Sequence, residues 1–198
     1  RLEARVHIVT STVTSAQNIV KCCNRAGLNI GDIILMPLAA AEAVLSGEER
    51  ELGVALVDIG SGTTDIAVFH DGTVRHSAVL SVGGNHLTND IAAGLRTPTA
   101  DAERIKQRYG LAKASTVSGD QRVEVSSVAG KAAGTVSRQI LCEIIEPRME
   151  EIFQLVQREI AKSGYEGSLA SGVVMTGGSM LLSGAVETAE QVFGMPAR

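Results

Sequence analysis

The octapeptide Asp58-Ile-Gly-Ser-Gly-Thr-Thr-Asp65 joins two apolar runs, GVALV before it and IAVF after it. A plain reversal between two strands takes about two to five residues and one or two turn formers. This joint carries more chemistry than that. Backbone amides approach an anion closely only where no Cβ intrudes, and Gly60 and Gly62 supply that freedom. Ser61, Thr63 and Thr64 add hydroxyl donors, and Asp58, at the end of the first strand, has the hard oxygens that hold a magnesium ion through its water shell beside a phosphate. Asp65 can orient the loop from the following strand. The plainer alternative is a glycine turn with incidental threonines.

Two familiar phosphate loops do not fit. A P-loop requires Gly-Lys-Ser/Thr, and a dinucleotide fingerprint requires a strand running into a helix. From Thr64 onward the chain alternates as a strand instead, with Asp65, Ala67 and Phe69 on one side and Ile66, Val68 and His70 on the other. The loop therefore lies inside a β-hairpin. A second glycine motif, Met175-Thr-Gly-Gly-Ser179, follows a buried run and is expected to open a helix over 179–193, so that Gly177, Gly178 and Ser179 would turn free amides and a helix dipole toward a phosphate or a sugar. By itself that motif equally describes a bare strand-to-helix turn.

The elements that must position these residues form an α/β pattern. RVHIV at 5–9 alternates like a strand, and Val13, Ala16, Val20 and Cys23 then recur at helical spacing up to Gly27, a C-cap residue. Residues 32–36 form another strand-like run, closed by Pro37 at the start of the helix PLAAAEAVLSG. A charged, solvated turn is expected over 48–51. Three strands follow over 53–59, 64–70 and 73–82, with Asp71-Gly72 as the tight reversal between the last two. Helices are expected over 85–95 and 99–109, then a loose stretch to about 121, a short strand RVEV, and a long helix over 135–162 that Pro147 should kink or divide. Its stripe is Leu141, Ile145, Met149, Ile152, Val156 and Ile160. SGVVM completes a sheet-centred core. That core comprises 51–82 and 166–198, interrupted by a helical insertion over 83–165, while 1–50 reads as the end of a preceding α/β unit with a connecting helix.

Composition narrows the function classes. Basic residues number 18 against 22 acidic ones, with no basic block, which argues against nucleic acid as a partner. No apolar run approaches the roughly 18 residues of a membrane span. The chain opens on Arg1, which suggests a piece of a longer protein. Cys22, Cys23 and Cys142 are odd in number and lack metal-ligand spacing, so they read as small apolar fillers in a reducing compartment. His70 and His76 flank the Asp71-Gly72 turn and could meet across the hairpin, as a surface pair.

With ALVDIGSGTTDIAVF, VVMTGGSMLLSG and PLAAAEAVL in this order, the sequence resembles the actin/Hsp70/sugar-kinase ATPase superfamily: its second phosphate motif, its adenosine motif and its first connecting helix. RVHIVT, NIVKCCNRAGL, RTPTADAERIKQRYG and EIIEPRMEEIF are similar, within that superfamily, to the FtsA family of bacterial actin-like division proteins. The resemblance covers nearly the whole chain. It implies an actin-like, RNase H-like core with an inserted small subdomain, binding of ATP and magnesium, self-association into filaments, and linkage of the tubulin-like protein FtsZ to the inner face of the membrane at the division site. The membrane helix would lie beyond Arg198, and the first phosphate loop before Arg1.

The resemblance also assigns residues. Asp58 matches the acid that holds hydrated magnesium, and Gly60 to Thr64 match the phosphate hairpin. Gly83, Gly84 and Asn85 match the turn entering the inserted subdomain. Glu103 and Lys106 match positions bordering ribose and adenine, although the residues alone favour a surface i,i+3 ion pair. Gly177, Gly178 and Ser179 match the adenosine loop. Arg148, on the outward face of the long helix with Glu146, Glu150 and Arg158, is the candidate contact for the FtsZ tail. One departure stands out. Where the superfamily often places Glu or Gln to orient the attacking water, this chain has Met36, whose thioether accepts only weakly and takes no proton. Slow or absent hydrolysis is expected. The rival readings are a sugar or acetate kinase of the same superfamily, and a pilus-assembly actin-like protein.

Overall fold

Four strands carry the hairpin, and their order in the sheet follows from which runs are apolar on both faces. The computed structural model describes residues 2, 4, 6–117, 120–126 and 134–198. Strands β1 (Val54–Ile59), β2 (Thr64–His70) and β3 (Thr73–Leu80) form an antiparallel meander, and β6 (Val173–Thr176) lies parallel to β1, giving the order β3-β2-β1-β6. A second sheet pairs β4 (Arg122–Val125) with β5 (Gly134–Ser137). The most apolar strands, β1 and β2, are interior, and the more polar β3 takes an edge. Asp71 and Gly72 both have positive φ, 52° and 70°, the backbone that a two-residue hairpin turn requires.

Alternation along β1 and β2 sorts their side chains into two cores. Ala55, Val57, Ile59, Ile66 and Val68 face one large cluster, while Val54, Leu56, Ala67 and Phe69 face a smaller one. The smaller cluster is closed by α2 (Met36–Val44), through Ala41 and the following Leu45. On the other face lie α4 (Gly84–Leu95), α5 (Thr99–Tyr109), α6 (Arg138–Lys162) and α7 (Ala185–Phe193). The α6 stripe, Leu141, Ile145, Met149, Ile152, Val156 and Ile160, is buried throughout as its spacing predicts. Pro147 does not divide α6, which continues through it although the ring removes the amide that would bond the Glu143 carbonyl. Burial of residues on both sides of the proline holds the two halves as one element.

Several expectations are corrected. Residues 48–51 lie in a helix, α3 (Gly47–Leu52), because Ser46 accepts from the Glu49 amide and Glu49 returns a carboxylate to the Ser46 amide, a reciprocal cap. Within 5–9, Arg5 lies outside the described residues; residues 6–9, and 32–35 as well, form no ladder and are mostly exposed. A strand is defined by its neighbour, and alternation without a partner in this chain does not make one. The helix α1 (Val13–Arg25) forms with no buried residue, and Cys22 on it is exposed, so only Cys142 is an apolar filler of the core. His70 and His76 do not meet. Their ring nitrogens face Asp71 and Glu159, at 3.1 and 3.4 Å. The Glu146 carboxylate is also not merely solvated, since it accepts from the Ala114 amide at 3.1 Å.

Candidate functional site

The hairpin between β1 and β2 is held from three sides. The Gly60 amide donates to the Thr63 carbonyl at 2.9 Å, closing the loop on itself. The Gly60 and Ser61 carbonyls then accept from the Gly84 and Asn85 amides at 2.9 and 2.7 Å, so the hairpin caps the N-terminus of α4. The Ser179 hydroxyl donates to the Gly60 carbonyl at 3.2 Å. Thr64 Oγ1, fully buried, donates to the Val82 carbonyl at 2.8 Å and ties β2 to the chain leaving β3. The Thr64 hydroxyl is therefore a fastening inside the fold and does not face a ligand. Among the described residues, the amides of Ser61, Gly62 and Thr63 have no backbone or side-chain acceptor, and all three residues are exposed.

Two glycines are demanded by close approach. A Cβ on Gly83 would stand 2.6 Å from the Gly60 carbonyl oxygen. A Cβ on Gly177, whose φ is 97°, would stand 2.4 Å from the Ile59 oxygen and 2.5 Å from Asp58 Oδ1. These positions bring three separate segments together at the hairpin rather than lining an opening themselves.

The opening beside them is a cleft of about 390 Å³ lined by Gly60, Ser61, Gly84, Asn85, Glu103, Lys106, Gln107, Gly178, Ser179, Leu181 and Leu182. It gathers eight of the residues singled out from sequence, from four stretches of chain. Asp58, Gly62, Thr63, Thr64, Gly83 and Gly177 are not in its lining. Gln107 and the two leucines are additions; Gln107 sits one turn after Glu103 on the same helix face, a spacing that would have exposed it. Leu181 is 87% exposed, an apolar side chain left at the mouth of the cleft. The segment after Gly177 also differs from expectation: it makes a short 3₁₀ turn, Gly178–Leu181, and α7 starts only at Ala185. No long helix dipole points from the Thr-Gly-Gly-Ser motif into the cleft.

Along the floor runs a polar network. Lys106 Nζ lies 2.7 Å from Glu103 Oε2, 2.8 Å from Thr88 Oγ1 and 3.0 Å from the Gly84 carbonyl. Thr88 also hydrogen-bonds Glu103 and Gly84, and Gln107 donates to Glu103 Oε1 at 2.8 Å. The ion pair is thus no surface pair, since Lys106 is buried. Burial pushes the Glu103 carboxyl up, but hydrogen bonds from Lys106, Thr88 and Gln107, with the Lys106 charge, outweigh it and hold the group below the usual carboxylate range.

The carboxylates of Asp58 and Asp65 stand opposite each other on β1 and β2, on the α2 side of the sheet. Burial pushes the Asp65 carboxyl up; the Thr63 hydroxyl pulls it down and the Asp58 charge adds to the rise. Two facing acids, one of them reluctant to ionise, suit a divalent cation or its water shell, which would relieve both effects. Elsewhere, Arg148 bridges α6 to α4: Nε and Nη2 donate to the two oxygens of Asp90 at 2.6 and 3.2 Å, and Nη1 pairs with Glu151. The outward arginine expected from sequence is already occupied.

A family model described as cell division protein FtsA matches residues 55–198. The chain belongs to the FtsA family. Among curated members, cell division protein FtsA of Pseudomonas aeruginosa is 52% identical over 198 residues, covering 100% of this chain and 48% of that protein. FtsA of Escherichia coli K12 is 43% identical over 205 residues, again with 100% of this chain and 49% of that protein. The chain thus spans about half the length of the curated FtsA relatives it matches. Among solved structures, MreB5 of Spiroplasma citri bound to ADP superposes with a TM-score of 0.80 at 19% identity, over 95% of this chain and 60% of that one. A PilM–PilN type IV pilus biogenesis complex follows at 0.67 and 16%, over 92% and 46%. The fold of this FtsA-family chain is therefore actin-like. No helix of its described residues is long and apolar enough to cross a membrane.

Proposed function

We propose that this chain forms one wall of an ATP site in an actin-like cell-division adaptor, which assembles into filaments and links FtsZ filaments to the membrane. The observation that carries this reading is the cleft: three unpaired amides at the hairpin tip beside it, a lining drawn from four segments, and an apolar mouth at Leu181. Amides without acceptors suit phosphate oxygens, and an apolar flank suits a flat base. Asp58, with Asp65 behind it, would hold a hydrated magnesium ion; the ion would screen the phosphate charges. Ser61, Gly62 and Thr63 would bind phosphate, Gly60, Gly84 and Asn85 would border it, and Glu103, Gly178 and Ser179 would border the sugar and base. In chain order, residues 83–165 form the insertion that receives the FtsZ tail, although the apolar side chains of α4, α5 and α6 within it merge with the sheet core.

Met36 is the first residue of α2 and about half-exposed. It can neither accept a strong hydrogen bond from an attacking water nor take its proton, so the nucleotide acts as an assembly ligand with slow turnover at most. The test is equilibrium binding of a fluorescent ATP analogue to the full-length protein with and without magnesium. Saturable, magnesium-dependent binding is expected, weakened at least tenfold by Gly62→Val, with hydrolysis well below one turnover per second, under the usual enzyme range. Absence of binding by the full-length protein would remove the reading. Turnover at several per second would remove the assembly-ligand part of it.

A further inference from the structure

The turn that enters α4 presents four successive amides, and three of them find acceptors on the backbone. Gly84 and Asn85 donate to the Gly60 and Ser61 carbonyls of the hairpin at 2.9 and 2.7 Å, and His86 donates to the Gly83 carbonyl at 3.0 Å. The fourth depends on a side chain. The Gly83 amide donates to His86 Nδ1 at 3.2 Å. Gly83 is buried against the hairpin, where a Cβ would stand 2.6 Å from the Gly60 oxygen and 2.9 Å from the Ser61 oxygen, so water does not readily replace the ring as acceptor. Gly83 and His86 thus bond each other in both directions, and the histidine stands where a capping box usually has Glu or Gln.

We infer that His86 is a positioning residue for the phosphate hairpin: its neutral ring, with Nδ1 bare and the proton on Nε2, completes the cap of α4 and thereby holds the Gly60 and Ser61 carbonyls in place. The inference rests on the nucleotide site proposed above and deepens it. In a neutral imidazole one nitrogen accepts while the other carries the proton, so the Gly83 bond fixes the tautomer. His86 does not line the cleft, and its effect runs through the backbone. Gly83 precedes the two residues whose amides hold the hairpin, and Ser61, held by its carbonyl, begins the run of three amides that among the described residues have no acceptor.

Removing the ring nitrogen leaves a buried donor unpaired, and the turn regains a partner by backing away from the hairpin toward water. That movement takes Gly84 and Asn85 with it. A nucleotide then meets a hairpin that is correctly held for part of the time, and apparent affinity falls by that fraction. A histidine that touched phosphate directly would behave differently, since an uncharged side chain whose oxygen restores the cap would not restore the contact.

The experiment uses the full-length protein, magnesium and a fluorescent ATP analogue, and compares wild type with His86→Leu and His86→Gln; nitrogen NMR of histidine-labelled protein reads the ring tautomer. Expected is a loss of affinity of about fivefold in His86→Leu, the scale of one missing helix cap. His86→Gln, whose side-chain oxygen reaches the same amide, is expected to recover to within about twofold of wild type. The wild type should show a ring protonated on Nε2 whose signal disappears in both variants. His86→Leu binding within about twofold of wild type would overturn the inference, as would a His86→Gln variant no better than His86→Leu. Should neither variant fold, the wild-type tautomer decides: protonation on Nε2 supports the cap, whereas a ring protonated on Nδ1 cannot accept the Gly83 amide and sinks the proposal. Wild type that fails to bind the ATP analogue fails the nucleotide reading itself, a result distinct from these because the tautomer still reports the cap.

Discussion

Individual residues around the hairpin divide into those that face an opening and those that hold it in place. Thr64, Gly83 and Gly177 belong to the second kind: each satisfies a buried carbonyl or permits backbones to touch. Asp65 is the residue with the clearest pH signature. Its folded carboxyl is raised, first by burial and then by the Asp58 charge, against the pull of Thr63. The folded chain therefore keeps a proton that the unfolded chain has lost, and stability falls as pH rises from the ordinary carboxylate range through the raised value. Asp65→Asn removes that loss while keeping an acceptor for Thr63. Without divalent cations it should raise the melting temperature near pH 7, on a scale of roughly 2–4 °C per kcal/mol for a chain of this size, and the advantage should shrink toward acid pH. Melting curves across a pH series check this; an asparagine variant that is less stable at pH 7 without magnesium would exclude it. Magnesium should narrow the difference if the cation sits between the two acids.

At the level of elements, α6 shows packing overriding local preference. A proline in a helix interior costs about 3 kcal/mol in isolation, yet α6 spans 25 residues through Pro147 because Met149, Ile152, Phe153, Val156 and Ile160 beyond it are buried. Ile152→Ala should destabilise the protein by about 2–5 kcal/mol, the range for a fully buried aliphatic side chain. Denaturant titration measures it. A change under about 1 kcal/mol would mean that the second half of α6 does not anchor the element. The Asp71-Gly72 turn and the Ser46–Glu49 cap are the opposite case, where local chemistry and final structure agree. Of the two, only the turn was legible beforehand: its dipeptide is a signature, whereas the cap was hidden in a charged stretch that reads as solvated.

For the molecule as a whole, the arginine that sequence offers to a partner is a tie between α4 and α6. Both it and Asp90 are about a third exposed, so Arg148→Asp should cost only about 1 kcal/mol of stability. In the full-length protein, any weakening of FtsZ-tail binding by Arg148→Asp should be reversed by adding Asp90→Arg, which rebuilds the tie with the charges exchanged. Tail-peptide titration separates the cases: an exchanged pair that restores stability without restoring binding would make Arg148 a direct contact. The two cores lie back to back, since α2 and the α4–α7 layer clamp the same four strands from opposite sides. A ligand that draws on the hairpin is therefore coupled to both layers.

What the sequence determined by itself was whatever depends on short-range chemistry. Strand runs apolar on both faces, a two-residue turn that needs positive φ, a helical stripe at intervals of three and four, and a glycine hairpin in fixed order with two companion motifs were all readable without coordinates, and they sufficed for the family. Tertiary structure decided what depends on neighbours distant in the chain. It turned Lys106 from an ion-pair partner on a helix into a buried donor, because Thr88 and Gly84 arrive from α4. It spent the Gly84 and Asn85 amides on the hairpin's own carbonyls. It left residues 6–9 and 32–35 without a ladder, because a strand exists only where another strand meets its hydrogen-bonding edge.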